Sequence, residues 1–111
     1  MVKMFDKNNR YITRGVQADI PLELQLFMWC CIDKLKEQGL KRDYLQIFEL
    51  TEHKADDIFY QVIEHREEVP EYNKTYKILA KETVNAKVFV INDGEDEIGK
   101  GYSTMLLAEE Y

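Results

Sequence analysis

Pro21-Leu-Glu-Leu-Gln-Leu-Phe-Met-Trp-Cys-Cys-Ile-Asp-Lys-Leu-Lys-Glu-Gln38 is the stretch whose reading decides the fold. At about 100° per residue, Leu24, Met28, Cys31, Ile32 and Leu35 fall on one stripe of a helix. That stripe is wide enough to bury against a sheet. Pro21 suits the first turn, where its missing N–H costs nothing. Asp19 or Ile20 is then the cap, with Asp19 the better acceptor. Glu23 complements the positive end of the helix dipole, and Lys34 and Lys36 the negative end. Gly39 is placed to end the helix in a left-handed conformation.

The same stretch carries a second apolar sector. Leu22, Leu26, Trp29 and Cys30 lie roughly opposite the stripe, Phe27 lies between the two, and Asp33 and Glu37 continue the second sector as charges. The N-terminal half of the helix is therefore apolar nearly all round. Either another segment of the chain covers this sector, or it is an exposed patch around Trp29 that binds a partner. Leu22, Leu26, Trp29 and Cys30 are the candidate partner interface.

Outward from the helix the hydrophobic period changes from 3.6 to 2. Before it, Arg10 to Val16 alternates and reads as a short strand, with Gln17 to Ile20 as a turn. After it, Asp43 to Leu50 and Asp57 to Arg66 read as strands around a polar turn, Thr51 to Asp56. Pro70-Glu-Tyr-Asn73 marks a reversal. Tyr76 to Ala80, Lys87 to Asn92 and Tyr102 to Glu109 complete the set, with a hairpin connection starting at Asn92-Asp93-Gly94. The order is β-α-β-β-β-β-β, and short connections favour antiparallel neighbours. The expected fold is α+β: one long helix packed across a curved antiparallel sheet, cystatin-like or roll-type, in a single domain spanning 1–111. Several strands are apolar on both faces (Leu45 and Ile47 against Tyr44 and Phe48), and one helix covers only one. The leftover face would line a tight roll or form a dimer interface.

Composition narrows the function. The 111 residues are 45% apolar and 32% charged, which suits a globular chain and not a disordered one. The net charge is −6, split as +3 over residues 1–42 and −9 over residues 43–111. No Lys/Arg cluster is present to hold a phosphate backbone, and Lys3, Lys7, Arg10 and Arg14 are spread as a solvated face, so nucleic acid is not an expected partner. No signal-like run opens the chain and no stretch has the length a bilayer needs, so no membrane partner is expected and the expected compartment is the cytoplasm. The only cysteines, Cys30 and Cys31, are helix neighbours pointing about 100° apart. An intrahelical disulfide would be strained, and two reduced thiols are expected.

The search for chemistry finds little. His53 and His65 have no ligand spacing to the cysteines, so no metal is expected. Cys30 and Cys31 lie mid-helix among apolar residues, a poor setting for a thiolate nucleophile. Asp93-Gly-Glu-Asp-Glu97 lacks the alternating ligands of a calcium loop and reads as a solvated hairpin tip. Gly99-Lys-Gly101 is followed by Tyr102 and a strand, which is not a phosphate loop. No catalytic residue and no cofactor is assigned.

Arg10-Tyr-Ile-Thr-Arg-Gly-Val16, Ile20 to Trp29, Asp43 to Leu50 and Tyr102 to Tyr111 together resemble a family of small, uncharacterised cytosolic proteins of Gram-positive bacteria, a domain of unknown function. The resemblance covers almost the whole chain and implies a stand-alone single-domain protein, with no activity and no site residues attached. The leading functional expectation is a non-enzymatic cytosolic binding protein with a protein partner or a second copy of itself. The alternative is a small enzyme or ligand-binding protein with a pocket between helix and sheet, its mouth formed by Tyr11, Arg14, Tyr44 and Tyr60.

Overall fold

The computed structural model describes residues 4–39, 43–95 and 101–111. The described elements run β1 (Arg10–Ile12), α1 (Arg14–Asp19), α2 (Leu22–Lys36), β2 (Leu45–Ala55), β3 (Ile58–Glu67), β4 (Tyr72–Leu79), β5 (Ala86–Glu95) and β6 (Gly101–Leu107), closed by a 3-10 turn at Ala108–Glu110. The fold is α+β, with one long helix and one six-stranded sheet in the order β1-β6-β5-β2-β3-β4.

Several expectations are corrected. The sheet is mixed, because β1 runs parallel to β6 with Tyr11 opposite Thr104. It is also not closed: β1 and β4 are its two edges. The expected strand from Arg10 to Val16 stops at Ile12, and the expected turn at Gln17 to Ile20 is largely helix. Thr13 explains the switch. Its hydroxyl accepts from the N–H of Val16 (3.3 Å), starting α1 and turning the buried Val16 into the core. A contact 97 residues away reinforces it: the same hydroxyl donates to Glu110 Oε1 at 2.6 Å. Glu110 Oε2 accepts from Gly15 N (3.2 Å), so close that a Cβ on Gly15 would lie 2.6 Å from the carboxyl group.

Asp19 therefore ends α1 and does not cap α2. The cap position is Pro21, with no side-chain bond. Gln25, inside the helix, donates Nε2 to the carbonyl of Ile20 at 2.8 Å and so ties the preceding turn to α2 without capping it. Gly39 takes the left-handed conformation expected of it, φ 71°. The segment read as a turn, Thr51 to Asp56, is strand to Ala55. The reversal is confined to Asp56 and Asp57, both at positive φ (51° and 66°), the two-residue hairpin turn that Asp tolerates. The reversal at Pro70 occupies residues 68–71, and β4 begins at Tyr72.

The stripe of α2 forms the core as its spacing requires. Leu24, Met28, Cys31, Ile32 and Leu35 are all buried, and the first four join one core with Phe48, Leu50, Ile63, Val88, Val90, Met105 and Leu107 from the sheet, Val16 from α1 and Ile20 just after it. Each such side chain contributes about 1.5–3 kcal/mol by leaving water. The second sector divides. Leu22 is 66% exposed, Leu26 is 56% exposed, and Cys30 is exposed, whereas Trp29 belongs to the core. Arg10 is the reason. Its guanidinium lies 4.6 Å from the Trp29 ring centre and is ion-paired with Asp33, so β1 closes over the indole.

Candidate functional site

Register tells which side chains share a face. Even positions of β2 and β5 and odd positions of β3 and β6 look towards α2. The opposite face has no helix over it, and it can be read as rows running across the strands. Tyr11, Thr104, Ile91 and Leu45 form one row. Leu106, Phe89, Ile47 and Arg66 form the next, and Lys87, Glu49, Glu64 and Thr75 the one after.

These rows change character sharply. The first two are apolar and aromatic as far as β2. Tyr11 is 55% exposed and packs edge-on to Tyr102, with ring centres 6.4 Å apart. Phe89 packs edge-on to Tyr111 at 5.8 Å. A hollow of about 310 Å³ opens among Asn9, Tyr11, Tyr102 and Thr104. The third row is a charge lattice. Arg66 donates to Glu64 at 2.8 Å and lies 3.7 Å from Glu49, which is also 3.7 Å from Lys87. Asn73 also donates to Glu64, and these bonds hold its carboxyl below the usual carboxylate range.

The helix-covered face holds what the sequence reading missed. His65, fully buried, stacks on Phe48 with ring centres 4.4 Å apart. Gln46, also fully buried, donates Nε2 to Glu67 Oε1 (2.6 Å) and to the Asp43 carbonyl (2.9 Å). Its Oε1 therefore faces His65, which must donate from Nε2 (2.6 Å), setting that ring proton. Gln61 performs a similar task further along β3, donating to Val84 O (3.0 Å) and accepting from Val84 N (2.8 Å). The available signal was polar residues at three of four alternate positions of β3, at 61, 65 and 67, with Ile63 among them. It becomes legible only once the register says which alternate positions are inside.

The other candidates are scattered. The space between α2 and the sheet is filled: Leu24, Met28, Phe48 and Val88 are all fully buried. Tyr11 and Tyr60 lie on the open face at separate strands, Arg14 is in α1 and Tyr44 precedes β2, so these four line no common pocket. His53 is exposed beside Tyr60, far from His65 along the β2–β3 pair. Among the described residues no three His, Cys, Asp or Glu side chains are grouped to hold a metal ion. Burial pushes the Cys31 thiol up to about 11, the reverse of what a nucleophile needs. Asp93, Gly94 and Glu95 continue β5 where a hairpin tip was expected from Asn92, while 96–100, with the rest of the acidic run and Gly99-Lys100, lie outside the described residues.

A family model described as "Staphylococcal protein of unknown function (DUF960)" matches residues 9–110. The chain belongs to this family. No curated protein matches it. A crystal structure of a protein of unknown function from Enterococcus faecalis shares the fold, at 19% identity and a TM-score of 0.70, over 100% of this chain and 98% of that one. Both comparisons fall in Gram-positive bacteria, as the resemblance implied. No described helix of this DUF960 member is long and apolar enough to cross a membrane.

Proposed function

We propose that this DUF960 chain is a binding protein that acts by docking, first of all to a second copy of itself, through the apolar half of its open sheet face. The observation that carries the reading is the division of apolar surface. The helix-covered side is filled, leaving no room for a metabolite where the alternative reading needs one, while on the open face Tyr11 is exposed and Tyr102, Phe89 and Ile91 are half-buried, with no described helix over them and Tyr111 packed on Phe89. Aromatic residues surrounded by a polar rim are the usual composition of a docking core. The charge lattice of Arg66, Glu49, Glu64 and Lys87 bounds the patch on one side.

The exposed ridge of Leu22, Leu26 and Cys30 is the second contact surface in this proposal, with Trp29 acting from beneath as packing. The cytoplasm is the compartment we propose, supported by two free cysteines. We also read the unit of five antiparallel neighbours β6-β5-β2-β3-β4 under one helix as cystatin-like in plan.

Sedimentation velocity across the micromolar range tests the main claim. Reversible dimerisation that disappears in Phe89→Glu and persists in Leu26→Glu is the expected result. A strict monomer at all concentrations, or a dimer indifferent to Phe89→Glu, would overturn it.

A further inference from the structure

Strand β2 outruns its partner. Its ladder with β5 ends at Leu50 opposite Ala86, while its ladder with β3 continues to Ala55. The groups of β2 that face β5 belong to even residues, as Tyr44 O and Glu52 N show by bonding Asn92 N (2.8 Å) and Asn85 Oδ1 (2.9 Å). By the antiparallel alternation, the carbonyl of Glu52 and both backbone groups of Lys54 point the same way, where no described strand pairs with them. An unpaired stretch of sheet edge is a template for an added strand.

This edge, at Glu52, borders a groove of about 740 Å³. Its floor is apolar, formed by Val84, Ala86 and Leu107. Asp19, Glu52 and Glu109 stand on its walls, all exposed. Its one lysine, Lys87, is already within 3.7 Å of Glu49. Among the described residues none of the three wall carboxylates is ion-paired. A second hollow of about 380 Å³ shares Ala18 and Asp19 with the first and adds Ile12, Leu22 and Glu82. Both hollows set apolar residues beside carboxylates. The wall itself is tied down, because Glu110 clasps Thr13 and Gly15 on α1 and the N–H of Leu107.

We propose that this groove binds an extended basic peptide, which adds to the free edge of β2 in the position that β5 vacates at Ala86. Backbone bonds to Glu52 O and Lys54 would set its register. Alternate apolar side chains would enter the floor, and Lys or Arg side chains would meet Asp19, Glu52 and Glu109. The groove is separate from the Phe89 face, so this inference stands or falls independently of self-association.

The test is fluorescence anisotropy with a labelled peptide of about nine residues alternating Lys and Val, a strand's length. Binding to the full chain should weaken with salt and fall about tenfold or more in Glu52→Lys and in Glu109→Lys. It should be unchanged in Glu71→Lys, an exposed acid at the β3–β4 turn. The same peptide with Glu for Lys should not bind. Hydrogen exchange should show the Lys54 amide newly protected in the complex. Where a reversal loses the fold by circular dichroism, Glu52→Gln and Glu109→Gln replace it, with a smaller loss expected. No binding to the wild-type chain, equal losses in Glu71→Lys, or a Lys54 amide that stays unprotected would each overturn the proposal. Loss of dimerisation in Phe89→Glu with peptide binding intact is the expected pattern for two separate surfaces.

Discussion

The two faces of the sheet are built from the same alternating strands and end up doing opposite things. On the face under α2, polar residues are buried among the core: Gln46, Gln61 and His65 are each 0% exposed and hydrogen-bonded. On the other face, apolar residues are left in contact with water, Tyr11 among them. The contrast teaches that side-chain polarity alone does not say which face is inside. A buried amide is tolerable when every donor and acceptor finds a partner, and an exposed aromatic is tolerable when no element is available to cover it.

The largest expected effect breaks the contrast at its strongest point. Phe48→Ala, under the helix, should cost about 3–5 kcal/mol in urea unfolding. Phe89→Ala, on the neighbouring strand and on the open face, should cost about 1 kcal/mol in the monomer. Equal losses would mean that the open face is part of the core.

Polar residues sharpen the comparison next. Gln46→Leu should destabilise by about 1–3 kcal/mol although it adds apolar bulk, because it strips a partner from both His65 and Glu67. Thr104→Leu on the open face should change unfolding by no more than about 0.5 kcal/mol.

The clasp between α1 and the C-terminal turn has a pH signature. The Thr13 hydroxyl first, then the N–H groups of Leu107 and Gly15, hold the Glu110 carboxyl below its ordinary 4.5. A depressed folded value means that the contribution is complete above the unfolded value and is lost as pH falls through the folded one. Thermal unfolding of Glu110→Gln should therefore show a flatter acid limb below about pH 4.5 than the wild type, and the two should differ most above it.

The smallest effect concerns two adjacent thiols. In the native chain at pH 8, Cys30 should react with a thiol reagent. Cys31, buried and with its thiol raised to about 11, should not react until the protein unfolds. Mass spectrometry of the labelled peptides distinguishes them, and simultaneous labelling of both would show that α2 opens from the sheet.

Much of this architecture was legible in the chain. The stripe from Leu24 to Leu35 announced a helix lying on a sheet, because the 3.6-residue period allows no other burial of those five side chains. Val88 to Ile91 announced a central strand, since a segment apolar on both faces needs neighbours on both sides. The inability of one helix to cover two sheet faces was likewise readable from composition and period, and it is the root of the docking proposal.

What tertiary structure alone decided involves partners far apart in sequence. Arg14 to Asp19 became a helix because Glu110 holds Thr13 and Gly15 across 95 or more residues. Trp29 went inside because Arg10 and Asp33, brought together only by folding, place a cation over its ring. β1 pairs parallel with β6, a pairing between segments from opposite ends of the chain. Local period and propensity determine which segments are helix or strand and which side chains seek burial. Strand order, register and the cover over a given face are set by which distant segments arrive, and those contacts leave no local trace in the sequence.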